Sequence, residues 1–373
     1  MYKTTMFAVG LTAIFALTAC TEKSTQTKQV EVNQENIKAH IEFLADDTLQ
    51  GRNTGSEGYQ IAANYVKSHF KQMGLKPRGE YDGFEQQVTF RKAFLEADSA
   101  KMIVENSGQQ TEITMPEQFF TSGSALHNDS SVTAETVFVG YGVVSEEFGY
   151  NDYEGLDVEG KIVVALTGRP ADLPSEEGAH IGSGSEKVRH AASRGAVGYI
   201  TLHTPKRDKV RPFSVSAKYA NGPRYSWLDN NGKPYGKYEE IKGGGYLHFD
   251  HAGALFEGAP LTAGQVFDAD SNDEKIAGFP LNGTVTLAAK SRHEEITSPN
   301  IIAVLEGSDP VLKDEFVVFS AHLDHIGVST HGDHEDKINN GALDNASGVS
   351  ILLETARKLS LQEEQPKRSV LFV

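Results

Sequence analysis

The chain has 373 residues, 39% of them hydrophobic, which is enough for two ordinary domains that each bury a core. Acidic side chains outnumber basic ones by 51 to 35, and the formal charge of -16 is spread along the chain, so there is no basic stripe for phosphates and nucleic acid is not expected as a partner. The single cysteine, Cys20, rules out an intramolecular disulfide and a thiolate zinc cluster.

The first twenty residues, "MYKTTMFAVGLTAIFALTAC", carry an early Lys3, an apolar run from about Met6 to Leu17 and then small residues. The run is too short to span a bilayer as a mature helix and has the form of an export signal. Its end, Leu17-Thr18-Ala19-Cys20, resembles the bacterial lipobox, in which the cysteine is lipidated and becomes the new N-terminus. That predicts a lipid-anchored protein of the cell envelope, held to the membrane through Cys20. Thr21 stands where an aspartate would retain the protein at the inner membrane, which points to the outer membrane, facing the periplasm or the exterior. Residues 21–33 are polar and predict a flexible tether.

Structure is expected from Gln34. Between Thr54 and Gly74, Ile61, Tyr65, Val66, Phe70 and Met73 recur at helical spacing behind a Thr54-x-x-Glu57 capping box. From about Ala134 to Leu202 the short runs "TVFVGYGV", "GKIVVALTG" and "AVGYITLHT" predict strands, with a short helix at "GSEKVRHAASRGA". After Gly278 come "NIIAVLEG", "EFVVFSAH" and "SVLFV", apolar on both faces as parallel strands covered by helices are. A helix over about Ser347–Leu359 joins the last two. The whole predicts an α/β fold interrupted by a β-rich unit.

In an open α/β sheet, ligands bind beyond the carboxyl ends of the strands. His322, Asp324 and His325 stand at that end of "EFVVFSAH", and Asp344 and Asn345 lie in "NNGALDNASG" before the next helix. An imidazole and a carboxylate brought together suit Zn²⁺. An aspartate two residues from a ligating histidine can accept its other ring N–H. By spacing alone, a hydrogen-bonded strand end explains His-x-Asp equally well. The loop "STHGDHEDKINN", with His331, Asp333, His334, Glu335 and Asp336, lacks an apolar period and predicts a solvated or substrate-rim loop.

"FSAHLDHIG" followed by "NNGALDNASGVSILLETAR" resembles the metal-binding heart of metallopeptidase family 28, the two-zinc aminopeptidases and carboxypeptidases. "FLADDTLQGRNTGSEGYQIAANYV" and "SPNIIAVLEGSD" are similar to the family's N-terminal helix region and to the strand entering its core. "VFVGYGVVSEEFGYNDYEGLDVEGKIVVALTGRP" with "AASRGAVGYI" resembles a protease-associated domain. The resemblance implies a three-layer α/β fold of the zinc-exopeptidase type, with a mostly parallel or mixed sheet and an inserted β-rich protease-associated domain. The expected division is a signal over 1–20, a tether over 21–33, peptidase parts over 34–128 and 292–373, and the insertion over 129–291. It further implies His322 as ligand to one zinc, Asp344 as the carboxylate bridging two, and Asp324 as the group that orients His322. The Asp344–Asn345 peptide is one that is often cis in the family. His325 matches no ligand position and is expected to pack or line the pocket.

In the family, a strand like "RSVLFV" continues into a pair of glutamates, a general base and a zinc ligand, with two more ligands beyond. The sequence stops at Val373, so the resemblance implies a C-terminally truncated sheet, and the polypeptide as given is expected to bind zinc weakly and to be inactive. The complete protein is expected to be a zinc exopeptidase acting on N-terminal residues of peptide substrates. A zinc cyclotransferase like glutaminyl cyclase shares the fold, but the inserted domain weighs against it. A metal-free binding protein of the same fold, as transferrin receptors are, is opposed by the presence of His322 and Asp344.

Overall fold

The structure, a computed structural model, describes residues 30–220, 222–329 and 335–373. The export signal, Cys20 and residues 21–29 of the tether lie outside them. Asn33 caps helix α1 (Gln34–Leu44), its side chain accepting from the amides of Glu35 and Asn36. A 3-10 turn over Asp47–Arg52, kinked at Gln50 and Gly51, leads to α2 (Glu57–Gln72). The cap of α2 is Ser56, whose hydroxyl accepts from the Tyr59 amide at 3.2 Å, and not Thr54 as the capping-box reading expects. Thr54 commits its hydroxyl to a partner far along the chain. The buried face of α2 is Tyr59, Ala62, Ala63, Val66 and Phe70, while Ile61 is 42% exposed. The small alanines, rather than the bulkier isoleucine, are turned to the core.

The chain then forms β1 (Lys76–Pro77) and β2 (Glu85–Leu95). A second unit follows with β3 (Lys101–Asn106), β4 (Gln109–Ile113), β5 (Phe119–Phe120), β6 (Asp129–Phe138) and β7 (Ile162–Leu166). It continues through α3 (Gly184–Ala192), β8 (Gly198–Leu202), β9 (Arg224–Trp227), β10 (Gly243–Leu247) and α4 (Ala263–Ser271) to β11 (Phe279–Ile301). Strands β7, β8 and β10 run parallel, and β7 is buried at all five positions, as a strand covered on both faces must be. The large mixed sheet has the order β9-β2-β11-β6-β7-β8-β10-β5, with β3 also paired to β11 and β4 to β3.

Strand β11 serves both units. Its first half pairs with β3 and β6, and its second half pairs with β2 from Leu95 back to Glu85. The second unit has its own core around Met102, Phe138, Val164, Ile200 and Leu247. The other core gathers Leu44, Phe70, Ile301, Leu353 and Phe372.

The last elements are β12 (Ala303–Leu305), β13 (Phe316–Phe319), α5 (Ser347–Ser360) and β14 (Ser369–Phe372). They form a four-stranded sheet of order β1-β12-β14-β13, in which β13 and β14 are parallel and the other pairs antiparallel. Helix α5 is the crossover between the parallel pair, and buries Val349, Leu352, Leu353 and Ala356 at helical spacing. Strand β13 departs from the expected burial: Phe316, Val317, Val318 and Phe319 are all 40–56% exposed. It is the edge strand of its sheet, and an apolar run reports two covered faces only where neighbouring elements supply the cover. Among the described residues no helix is long and apolar enough to cross a membrane.

Candidate metal centre

Beyond Phe319 the chain leaves the sheet through Ser320-Ala321-His322-Leu323-Asp324-His325. Leu323 packs against the core, while the flanking His322 and Asp324 side chains are 53% and 40% exposed. Asp344 arrives on the turn before α5, its side chain 71% exposed, and places Oδ1 2.9 Å from His322 Nε2. The other ring nitrogen, Nδ1, lies 3.0 Å from the backbone carbonyl of Asp324 and 3.5 Å from its carboxylate. A carbonyl only accepts, so Nδ1 carries the hydrogen, and Nε2 is the ring nitrogen turned toward Asp344. Two acceptors 2.9 Å apart repel unless a proton or a cation lies between them.

The entry to α5 fixes Asp344 from the other side. Asn345 Oδ1 accepts from the Gly348 amide at 3.0 Å, and a Cβ on Gly348 would come within 2.3 Å of that oxygen, so a side chain there would have to displace the Asn345 amide. The Asp344–Asn345 peptide is cis. A cleft of about 480 Å³ opens beside these groups, with His322, Asp324 and Asn345 as polar lining and Val66, Phe70 and Leu352 as apolar wall. Tyr59 also lines it, and its hydroxyl donates to the Pro299 carbonyl at 2.6 Å. Burial first, and the Asp324 charge second, push the Tyr59 pKa up to about 12, so it stays protonated.

A segment to which the sequence assigned no part in this site, Gly51 to Thr54, threads between these loops. Thr54 Oγ1 donates to Asp324 Oδ2 at 2.5 Å. Arg52, 1% exposed, donates from Nε to the Leu323 carbonyl at 3.0 Å and from Nη2 to the Gly341 carbonyl at 3.2 Å. Its Nη1 donates to the carbonyls of Asn340, at 2.7 Å, and Leu44. Asn53 forms a parallel bridge with His325, and its Oδ1 accepts the Tyr225 hydroxyl of the second unit at 2.8 Å. The His325 amide donates to the Arg52 carbonyl at 3.1 Å, its ring packs beside Gly341, and burial pushes its pKa below the ordinary value. The Thr54 and Arg52 contacts span 270 and 271 residues, beyond the reach of any local pattern.

One imidazole nitrogen and one carboxylate oxygen facing each other fit zinc in kind. Among the described residues no group of three or more His, Cys, Asp or Glu side chains gathers to hold a metal. Of the acidic loop, His331, Asp333 and His334 lie outside the described residues, and Glu335 and Asp336 are exposed.

Residues 300–373 match the family model for Peptidase family M28. A mouse (Mus musculus) protein, Aminopeptidase NAALADL1, is 29% identical over 103 residues, covering 26% of this chain and 12% of the mouse protein. Among solved structures, an aminopeptidase from Aneurinibacillus sp. strain AM-1 aligns over 91% of this chain and 62% of its own, with 19% identity and a TM-score of 0.47. A zinc aminopeptidase from Bacillus subtilis aligns over 92% and 61%, with 18% identity and a TM-score of 0.37. A peptidase M28 precursor from Shewanella amazonensis SB2B aligns over 91% and 66%, with 19% identity and a TM-score of 0.38. The chain thus spans less than two thirds of each of these relatives.

Proposed function

We propose that this chain carries part of the metal site of a zinc-dependent exopeptidase that hydrolyses N-terminal residues of peptides. The observation that carries the reading is the facing pair His322 Nε2 and Asp344 Oδ1, 2.9 Å apart, within the stretch that matches Peptidase family M28. The name of the mouse relative supports the aminopeptidase direction.

Zinc, when bound, supplies Lewis-acid polarisation of a carbonyl and lowers the pKa of water. The residues of the chain do the holding. The Asp324 carbonyl keeps the hydrogen on Nδ1 of His322, so that Nε2 is free as a donor to the metal. Asp344 would supply the carboxylate that faces that nitrogen. Val66, Phe70 and Leu352 give the adjoining cleft an apolar wall that suits a hydrophobic substrate group. Among the described residues this pair is fewer than the three protein ligands that a catalytic zinc ordinarily has.

The test uses the full-length protein, its zinc content, and a panel of aminoacyl chromogenic substrates. Hydrolysis should vanish with a chelator and return with zinc. His322→Ala and Asp344→Asn should each weaken zinc binding by more than the roughly 10–100-fold cost of losing an outer partner. A wild type that hydrolyses nothing with zinc or cobalt present, or variants that bind zinc as the wild type does, would overturn the reading.

A further inference from the structure

We propose that Arg52 is the positioning residue of this site: its buried guanidinium sets the distance between the loop that carries His322 and Asp324 and the loop that carries Asp344. The inference rests on the metal-site reading above and assigns a role to a residue that does not touch the metal position.

Four carbonyl acceptors surround the guanidinium. Leu323 sits between His322 and Asp324, and its carbonyl takes Nε at 3.0 Å. Asn340 and Gly341 precede Asp344 in its loop, and their carbonyls take Nη1 and Nη2 at 2.7 and 3.2 Å. The Leu44 carbonyl, at the C-terminal end of α1, takes Nη1 as well and ties the group to the core. These acceptors are all backbone atoms. A side-chain partner can swing to follow a moving cation, whereas a carbonyl moves only if its loop does. The rigid fork of the guanidinium therefore acts as a spacer between two backbones.

The backbone around Arg52 reinforces the same register. The amides of His325 and Gly327 donate to the carbonyls of Arg52 and Gly51, each at 3.1 Å. Gly51 has φ +66, and a Cβ there would lie 2.5 Å from the Asn339 carbonyl oxygen and 2.8 Å from that of Gly327, so the segment lies against both loops at once. Thr54 completes the set by holding Asp324 Oδ2 at 2.5 Å. The two loops also meet directly, since the Asn339 amide and side chain donate to the Gly327 carbonyl at 3.0 and 2.8 Å. That contact joins Asn339 to Gly327, whereas Arg52 joins Asn340 and Gly341 to Leu323, the residue next to His322.

A lysine keeps the charge but has three donors on one atom and cannot bridge the same carbonyls. In the full-length protein, Arg52→Lys should weaken zinc binding about 10–100-fold, the usual cost of losing an orienting partner. It should also alter the visible absorption bands of the cobalt-substituted protein, which report ligand geometry. Thr54→Val should change the same two readouts less, and Thr54→Ser, which keeps the hydroxyl, should restore them. If Arg52→Lys does not fold, the Thr54 pair decides, because Thr54 is only half-buried and reaches the same loop. Folded variants with wild-type zinc affinity and cobalt spectrum, whatever their melting temperature, would overturn the inference and leave Arg52 a purely structural residue. A wild type that binds no zinc would instead overturn the metal-site reading on which it rests.

Discussion

Asp324 divides its acceptors among different partners, and the division predicts how much each is worth. The nearer acceptor for His322 Nδ1 is the main-chain carbonyl, at 3.0 Å, with the carboxylate at 3.5 Å, and the other carboxylate oxygen takes the Thr54 hydroxyl. Asp324→Asn therefore leaves the ring its hydrogen-bond partner and removes mainly a nearby negative charge. In the full-length protein, zinc affinity should fall by about 10-fold, the low end for an orienting partner, while Asp344→Asn costs far more. Competition against a chelator ranks the two, and equal losses would show that the carboxylate, not the carbonyl, holds the ring. His322 and Asp344 were singled out by the resemblance of their two stretches to a family, since spacing alone left a hydrogen-bonded strand end open. Thr54 was not, because it also fits a capping box, and the hydroxyl three residues before Glu57 answers instead to an aspartate 270 residues away.

At the level of elements, the period of α5 was readable, but its buried face holds an acid that periodicity does not explain. Glu354 is 1% exposed and accepts from the Asn33 amide at 2.6 Å, from Asn36 Nδ2 at 3.2 Å and from Arg357 at 2.6 and 2.7 Å. It thereby pins the start of α1 to α5. Burial alone would raise its pKa, but the hydrogen bonds from Arg357, Asn33 and Asn36 outweigh burial and lower it from 4.5 to about 2. The folded state then binds this proton more weakly than the unfolded chain. Its stabilisation is complete above pH 4.5 and is lost as the pH falls toward 2. Glu354→Gln should lower the unfolding free energy at pH 7 by about 2 kcal/mol, the scale of hydrogen bonds to a charged group, and flatten the loss between pH 4.5 and 2. Urea titrations at pH 7 and 3 measure both, and an unchanged acid slope in the variant would place the proton elsewhere. Strand β13 shows the complementary limit: four apolar residues in a row announce a strand but not which edge of which sheet it occupies.

Across the whole molecule, the alternation of apolar runs with helices separated an α/β part from a β-rich part, yet the join between them left no mark in composition. The reason is β11, which runs unbroken for 23 residues and pairs with strands of both units. A second join is a side chain. Tyr225, on β9 of the second unit, donates its hydroxyl to Asn53 Oδ1 at 2.8 Å, and Asn53 is bridged to His325 in the loop that carries His322 and Asp324. The second unit thus reaches the Gly51–Thr54 segment beside the candidate site through this hydrogen bond. Such a bond contributes about 1 kcal/mol at most to global stability, but its loss acts locally, on the free energy of opening the segment it holds. Tyr225→Phe should leave the denaturant midpoint nearly unchanged and speed amide exchange at residues 51–54 and 325–327. Exchange that quickens there but not in the core strand β7 would locate the coupling, while unchanged protection in both would mean that the segment is held without help from the second unit.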